Sequence, residues 1–182
     1  VIGPEHLENL KDVPTVAREE IFALTETLRL GGQIAIHLDD PWIAPVHKTY
    51  PGLTFSLQAH EPGTKASVQG SLIQTDNNPG SLKVRIETES FKPFELALPL
   101  PGRHNAQNLM AASAVALLTG LTPDQIQTGL AQFQGAEGRS QVRDLKPARK
   151  IICDYYNASP VSMKAAFELL GSTGQSKRRW AC

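Results

Sequence analysis

Four short runs within residues 53–100 alternate apolar and polar residues, and this alternation constrains the fold more than any other feature. The runs are LTFSLQA, KASVQGSLIQT, SLKVRIETE and FELALPL, and the segments EPGT, DNNPG and SFKP separate them. Alternation is typical of strands that bury one face, whereas Asn, Asp, Pro and Gly favour chain reversal. The pattern therefore predicts an antiparallel sheet over residues 53–100.

The segments on either side of this sheet predict helices and further strands. Helices are expected from Pro14 to Gly31, over residues 105–119, after the TPDQ segment and over residues 160–170. QIAIHLDD and IICDYY have the character of strands, with Ile34 and Ile36 on one face of the first. Thr122 and Gln125 have the spacing of a capping box, and Ile126, Leu130 and Phe133 are expected to form a buried helix face. We therefore predict an α/β fold, a mostly parallel sheet with an antiparallel β insertion, and a domain boundary near residues 146–150.

Composition excludes several classes of protein. The chain has 182 residues, 41% of them hydrophobic, and a formal net charge of zero. This apolar content is enough for a packed core, and the neutral charge argues against a nucleic-acid partner. The longest apolar run, at residues 109–118, is shorter than the ~20 residues that span a bilayer, so membrane insertion is not expected. Only two cysteines are present, which favours a cytoplasmic location.

Asn105 and Asn108 begin a predicted helix and have a spacing that places them on one face. A carboxamide offers one donor and one acceptor, as the N6/N7 edge of adenine requires. The pair therefore suggests an adenine site. The alternative is that Asn105 is an N-cap and Asn108 is simply exposed.

Three other residues allow both a functional and an ordinary interpretation. His6 lies between Glu5 and Glu8, so it is either a metal ligand or an ordinary polar side chain at the surface. Arg139 follows a glycine, so it either clamps a phosphate or is an ordinary loop arginine. Asp154 ends a strand, where it either contacts a ligand or caps a helix.

Four stretches in order resemble the motifs of one enzyme family. They are GPEHLE, LPLPGRHNAQNLMAA, GR and DYYNASPVSMKAA, and together they span nearly the whole chain. They resemble the Mur ligases, and LPLPGRHNAQN and YNASPVSM are most similar to the branch that adds D-alanyl-D-alanine to UDP-N-acetylmuramoyl-tripeptide. The resemblance implies part of a central, P-loop-type ATP-binding domain over residues 1–147, with residues 53–100 as its antiparallel β subdomain. Residues 148–182 would begin a Rossmann-like C-terminal domain.

The resemblance also implies a reaction and roles for individual residues. ATP, with Mg²⁺, would convert a substrate carboxylate into an acyl phosphate that an amine then attacks. The implied partners are UDP-N-acetylmuramoyl-tripeptide and D-alanyl-D-alanine. The implied site residues are His6 at magnesium, Asn105 and Asn108 at adenine with His104 beside them, Arg139 at the phosphates and Asp154 at the ribose. Asn157, Ser159 and Ser162 would face the incoming dipeptide.

Three departures from the family pattern qualify this resemblance. The phosphate loop G-x-x-G-K-[ST] is absent and would lie upstream of Val1. VAREEIF carries Arg18, Glu19 and Glu20 where the family has a lysine that becomes carbamylated, and the final KRRWAC does not resemble the family's next strand. We therefore expect this chain to be a piece of a ligase that is monomeric at full length, and to be inactive alone. The alternatives are another Mur ligase, a ligase similar to folylpolyglutamate synthetase, or a non-catalytic adenine-nucleotide-binding module.

Overall fold

A computed structural model describes residues 1–4, 7–58, 65–73, 80–145, 149–172 and 180–181. Its helices are α1 (Leu7–Leu10), α2 (Val13–Arg29), α3 (Arg103–Leu118), α4 (Pro123–Ala131) and α5 (Pro160–Ser172), and a 3₁₀ helix spans Ala44–Lys48. Its strands are β1 (Ala35–His37), β2 (Leu53–Ser56), β3 (Val68–Ile73), β4 (Leu82–Thr88), β5 (Phe94–Leu98), β6 (Gln141–Leu145) and β7 (Arg149–Cys153). Among the described residues, no helix is both long enough and apolar enough to cross a bilayer.

The main sheet has five strands in the order β1-β2-β3-β4-β5. β2 runs parallel to both β1 and β3, whereas β3, β4 and β5 pair antiparallel. The expectation of an antiparallel sheet over all of residues 53–100 is therefore wrong for β2. Alternation reports which face a strand buries but not the direction of its partners, and β2 follows β1 through a crossover that contains the 3₁₀ helix.

The helix boundaries follow local capping chemistry. Asp12 accepts a hydrogen bond from the backbone N–H of Thr15 and caps α2, and Pro14 occupies its first turn. The Thr122–Gln125 capping box of α4 is confirmed. The predicted buried face of α4 is only partly correct, because Phe133 lies beyond the end of the helix and is 42% exposed.

The sheet is covered on both faces. Ile34 and Ile36 point to one side of β1, as predicted, where they pack against α2. On the other side α3 covers the sheet, with Met110 at the centre of the larger core. A Cβ at Gly70 would collide with the Met110 side chain, so glycine in β3 allows this close approach.

β6 and β7 form a separate two-stranded antiparallel ribbon. The predicted strand at IICDYY and the helix that follows it are confirmed as β7 and α5. No strand is predicted from the sequence over Gln141–Leu145, so β6 is an addition to the expected elements. Lys146, part of the predicted domain boundary, lies outside the described residues.

Candidate functional site

The side chain of Asn105 is turned back into the protein at the start of α3. Gly102 is the N-cap, with φ +97°, so Asn105 is the third helical residue and not the cap. Its Nδ2 donates to the carbonyl of Pro101 at 2.6 Å, and the residue is 7% exposed. One of the two N–H donors of the Asn105 carboxamide is therefore engaged within the protein, and the side chain is largely buried.

Asn108 is exposed and lines a cleft of about 220 Å³ between α3 and the first two strands. Gln107, His37 and Phe55 also line this α3 cleft, whereas Asn105 is not among the described residues that do so. The rings of His37 and Phe55 stack with a centroid distance of 4.8 Å and an angle of 4°. The α3 cleft thus combines two carboxamide groups with a mostly apolar lining, in which His37 and Phe55 are 8% and 5% exposed.

His104, Ser140 and Asp154 form a hydrogen-bonded network at the beginning of α3. The His104 Nε2 lies 3.1 Å from the Ser140 Oγ, and the Ser140 backbone N–H donates to the Asp154 Oδ1 at 2.9 Å. Burial lowers the pKa of His104 below 6.5, while Asp154 and Glu168 oppose this shift. The structure thus brings together two of the predicted ligand residues, His104 and Asp154, through a serine that sequence analysis did not single out.

Arg139 is exposed, and its guanidinium lies over the ring of Tyr156, 4.1 Å from the centroid. The backbone N–H of Tyr156 donates to the Gly138 carbonyl, and the Tyr155 hydroxyl donates to Glu137 at 3.3 Å. The Glu137 carboxylate accordingly raises the pKa of Tyr155. Residues 137–140 therefore lie alongside residues 154–156, with Arg139 held at the surface by a cation–π contact.

Two further carboxylates organise the end of β1. Asp40, 1% exposed, accepts hydrogen bonds from the backbone N–H groups of Ile2, Trp42 and Ile43 at 2.6, 2.9 and 3.1 Å. Asp39 accepts from the Ser56 hydroxyl and from the backbone N–H of Leu57. Their position directly after a buried strand is a signal that sequence analysis applied to Asp154 but not to this pair.

The predicted magnesium ligand His6 lies outside the described residues, as does Glu5. Arg18, Glu19 and Glu20 are exposed on α2. Within the described ranges, no group of three or more His, Cys, Asp or Glu residues could hold a metal ion.

The residues predicted to face a dipeptide cap α5. The Ser159 Oγ accepts from the backbone N–H of Ser162, and the Ser162 Oγ accepts from the backbone N–H of Ser159. Asn157 is exposed, and its side-chain oxygen accepts from the backbone N–H of Ala158. These bonds account for the two serines locally, and their role toward a substrate stays a prediction.

Comparison with known proteins identifies the family. The family model for the Mur ligase middle domain matches residues 1–116. The chain therefore belongs to the Mur ligase family.

Individual relatives come from more than one branch of the family. The UDP-N-acetylmuramate–L-alanine ligase of Phenylobacterium zucineum (strain HLK1) is 25% identical over 97% of this chain and 37% of its own length. The UDP-N-acetylmuramoyl-tripeptide–D-alanyl-D-alanine ligase of Escherichia coli (strain K12) is 41% identical over 42% of this chain and 17% of its own length. A crystal structure of MurF from Acinetobacter baumannii matches with a TM-score of 0.75 and 29% identity, over 95% of this chain and 36% of that chain. The chain thus spans little more than a third of the length of relatives that match nearly all of it.

Proposed function

We propose that this chain carries the adenosine-binding part of an ATP-dependent ligase of peptidoglycan precursor synthesis. The observation that carries the proposal is the network in which Ser140 joins His104 at the start of α3 to Asp154 at the end of β7. It places a carboxylate beside the N-terminal turn of the helix that also presents Asn108. Membership of the Mur ligase family supports the reaction class.

The residues fit the adenosine end of a nucleotide in a specific way. Asn108 would present its carboxamide to the adenine edge from the α3 cleft, whose mostly apolar lining includes the largely buried His37–Phe55 pair. One oxygen of Asp154 is engaged by Ser140, and the other would accept a hydrogen bond from a ribose hydroxyl. Asn105 would act indirectly, because its carboxamide secures the first turn of α3 through Pro101.

Arg139 would contribute a cation toward the phosphates. Its exposed guanidinium retains hydrogen-bond donors while one face rests on Tyr156. ATP supplies the phosphoryl group that activates a carboxylate for amide formation. Mg²⁺ would neutralise the phosphate charge, and His6, the residue predicted to bind it, lies outside the described residues.

Within the family, we propose the branch that adds D-alanyl-D-alanine to UDP-N-acetylmuramoyl-tripeptide. LPLPGRHNAQN and YNASPVSM support this branch, as does the similarity to MurF from A. baumannii. The L-alanine ligase of P. zucineum covers more of the chain than the E. coli relative does. The branch that adds L-alanine to UDP-N-acetylmuramate is therefore the second candidate. We further propose that the full-length ligase acts as a cytoplasmic monomer.

Nucleotide titration of the purified chain tests the adenosine site. We expect ATP to shift the amide signals of α3 and β7 in ¹⁵N NMR spectra, whereas GTP at the same concentration leaves them in place. The variant Asn108→Ala should lose about 1–3 kcal/mol of ATP binding free energy. Gln132→Ala is the matched control, because Gln132 is an exposed carboxamide at the end of α4. Equal responses to ATP and GTP, or an unchanged affinity of Asn108→Ala, would refute adenine recognition by Asn108.

A further inference from the structure

Ser140 has a backbone conformation that serine rarely adopts. Among the described residues, two residues other than glycine have a positive φ: Lys11 at 67° and Ser140 at 51°. Lys11 is exposed directly after α1, where its N–H bonds to the carbonyl of Leu7 as a helix end requires. Ser140 is 4% exposed and follows no helix, so this explanation does not apply to it.

Glycine would adopt this conformation without steric cost and would keep the N–H that donates to Asp154. Serine adds one group, the hydroxyl, and that hydroxyl contacts His104. Buried backbone strain at a polar residue is typical of sites where geometry is held for a purpose. The contact between the Ser140 hydroxyl and His104 is therefore what serine provides here and glycine would not.

The partner of this hydroxyl is itself fixed. A Cβ on Gly102 would lie 2.7 Å from Cε1 of His104, so the imidazole rests directly on the N-cap backbone of α3. A displacement of the His104 ring would therefore also disturb the first turn of this helix. Through Ser140, the position of that turn depends on the position of the Asp154 carboxylate.

We propose that Ser140 is a positioning residue, which sets the beginning of α3 and the end of β7 relative to each other. Asn108 lies on α3 and Asp154 directly follows β7. The hydroxyl therefore fixes the distance between the adenine contact at Asn108 and the ribose contact at Asp154. This inference rests on the proposed adenosine site. The geometric coupling between Ser140 and His104, however, can be tested without a nucleotide.

The test uses variants that distinguish the effect of the hydroxyl from the effect of the backbone conformation. Ser140→Gly removes the hydroxyl, relieves the backbone strain and retains the N–H to Asp154. Ser140→Ala removes the hydroxyl and retains the strain. Lys11→Gly is the matched control, since it relieves similar strain at an exposed site far along the chain.

Two measurements are made on the full chain: the ring ¹⁵N signals of His104 through a pH titration, and the affinity for ADP. His104→Phe identifies the His104 signals. The charged groups that act on His104 are Asp154 at the end of β7 and Glu168 on α5. We expect Ser140→Gly to fold at least as stably as the parent chain, and to move the ring ¹⁵N signals of His104 because Nε2 loses its hydroxyl partner. ADP affinity should fall about two- to tenfold, the value of one hydrogen bond, while Lys11→Gly changes neither property.

The possible results separate the two proposals. If the His104 signals of Ser140→Gly match those of the parent chain, the coupling is refuted, whatever ADP does. If the signals move but ADP binds equally well, the positioning role is refuted and the adenosine site stands. If the signals move and the parent chain does not bind ADP, the coupling is supported and the proposed nucleotide function fails.

Discussion

Removal of the hydroxyl group from two buried serines should change the free energy of unfolding in opposite directions. Ser113, on α3, is 1% exposed, and its Oγ has no hydrogen-bond partner among the described residues. Ser56, in β2, is 0% exposed, and its Oγ donates to Asp39 and accepts from the backbone N–H of Gln58. Both serines become alanine, so the number of atoms deleted is the same, and the two sites differ in polar environment and in secondary structure.

The magnitudes follow from what each hydroxyl does in the folded chain. A buried hydroxyl without a partner costs about 1–3 kcal/mol in desolvation, and the small void left by its removal costs about 1 kcal/mol. Alanine also favours helix more than serine does. Ser113→Ala should therefore raise the free energy of unfolding by about 1 kcal/mol.

At Ser56 the balance is reversed. Its removal breaks a hydrogen bond to a carboxylate, which is worth about 1.5–3 kcal/mol, and leaves the Gln58 N–H without this acceptor. Ser56→Ala should lower the free energy of unfolding by about 2–4 kcal/mol.

Urea unfolding followed by far-UV circular dichroism measures both effects. With an m value of about 2 kcal/mol per molar urea, the midpoint of Ser113→Ala should rise by roughly 0.5 M, and that of Ser56→Ala should fall by at least roughly 1 M. If Ser113→Ala is destabilised as much as Ser56→Ala, the Ser113 hydroxyl has a partner in solution, and the argument from its unpaired state is wrong. Unequal m values would show that a variant changes more than one side chain, and would exclude it from the comparison.

The Arg139–Tyr156 contact and the burial of two histidines lead to further predictions. Tyr156→Leu should weaken ATP binding through the loss of the cation–π contact with Arg139. Tyr156→Phe should retain this contact and the affinity, and Tyr155→Leu should lower the affinity less than Tyr156→Leu does. Calorimetric titration with ATP measures all three. Burial lowers the pKa values of His37 and His104 below the 6.5 of an unfolded histidine, so the unfolded chain binds more protons below that pH. The stability that these histidines contribute is complete above pH 6.5 and is lost as pH falls. The urea midpoint should therefore be lower at pH 5.5 than at pH 7.5. His37→Gln should reduce this difference.

Sequence alone predicted the parts of the fold that depend on neighbouring residues. The capping box at Thr122 and Gln125 needs only four consecutive residues, and Pro160 at the start of α5 acts within one turn. The faces of β1 were also predictable, since a period of two assigns Ile34 and Ile36 to one side. The direction of β2 was not, because it depends on a crossover and on pairing with distant strands.

The asparagine pair shows the same limit within the site. Spacing in sequence correctly places Asn105 and Asn108 near one another on α3. It does not show that the Pro101 carbonyl, just before the helix, accepts a hydrogen bond from Asn105 and draws that side chain inward. Of the two residues, the structure leaves only Asn108 facing the α3 cleft.

The contact between Ser140 and Asp154 follows from the β6–β7 ribbon. Gln141 pairs with Cys153 in the antiparallel register, so the residues immediately outside this pair must lie side by side. This geometry places residues 137–140 beside residues 154–156, and it depends on β6, a strand that the sequence pattern does not predict. Deletion of one residue from β6 with the pairing retained would put Arg139 in the place of Ser140, opposite Asp154. The guanidinium would then leave Tyr156, and His104 would lose its hydroxyl partner, so the position of both candidate groups depends on the length of this strand.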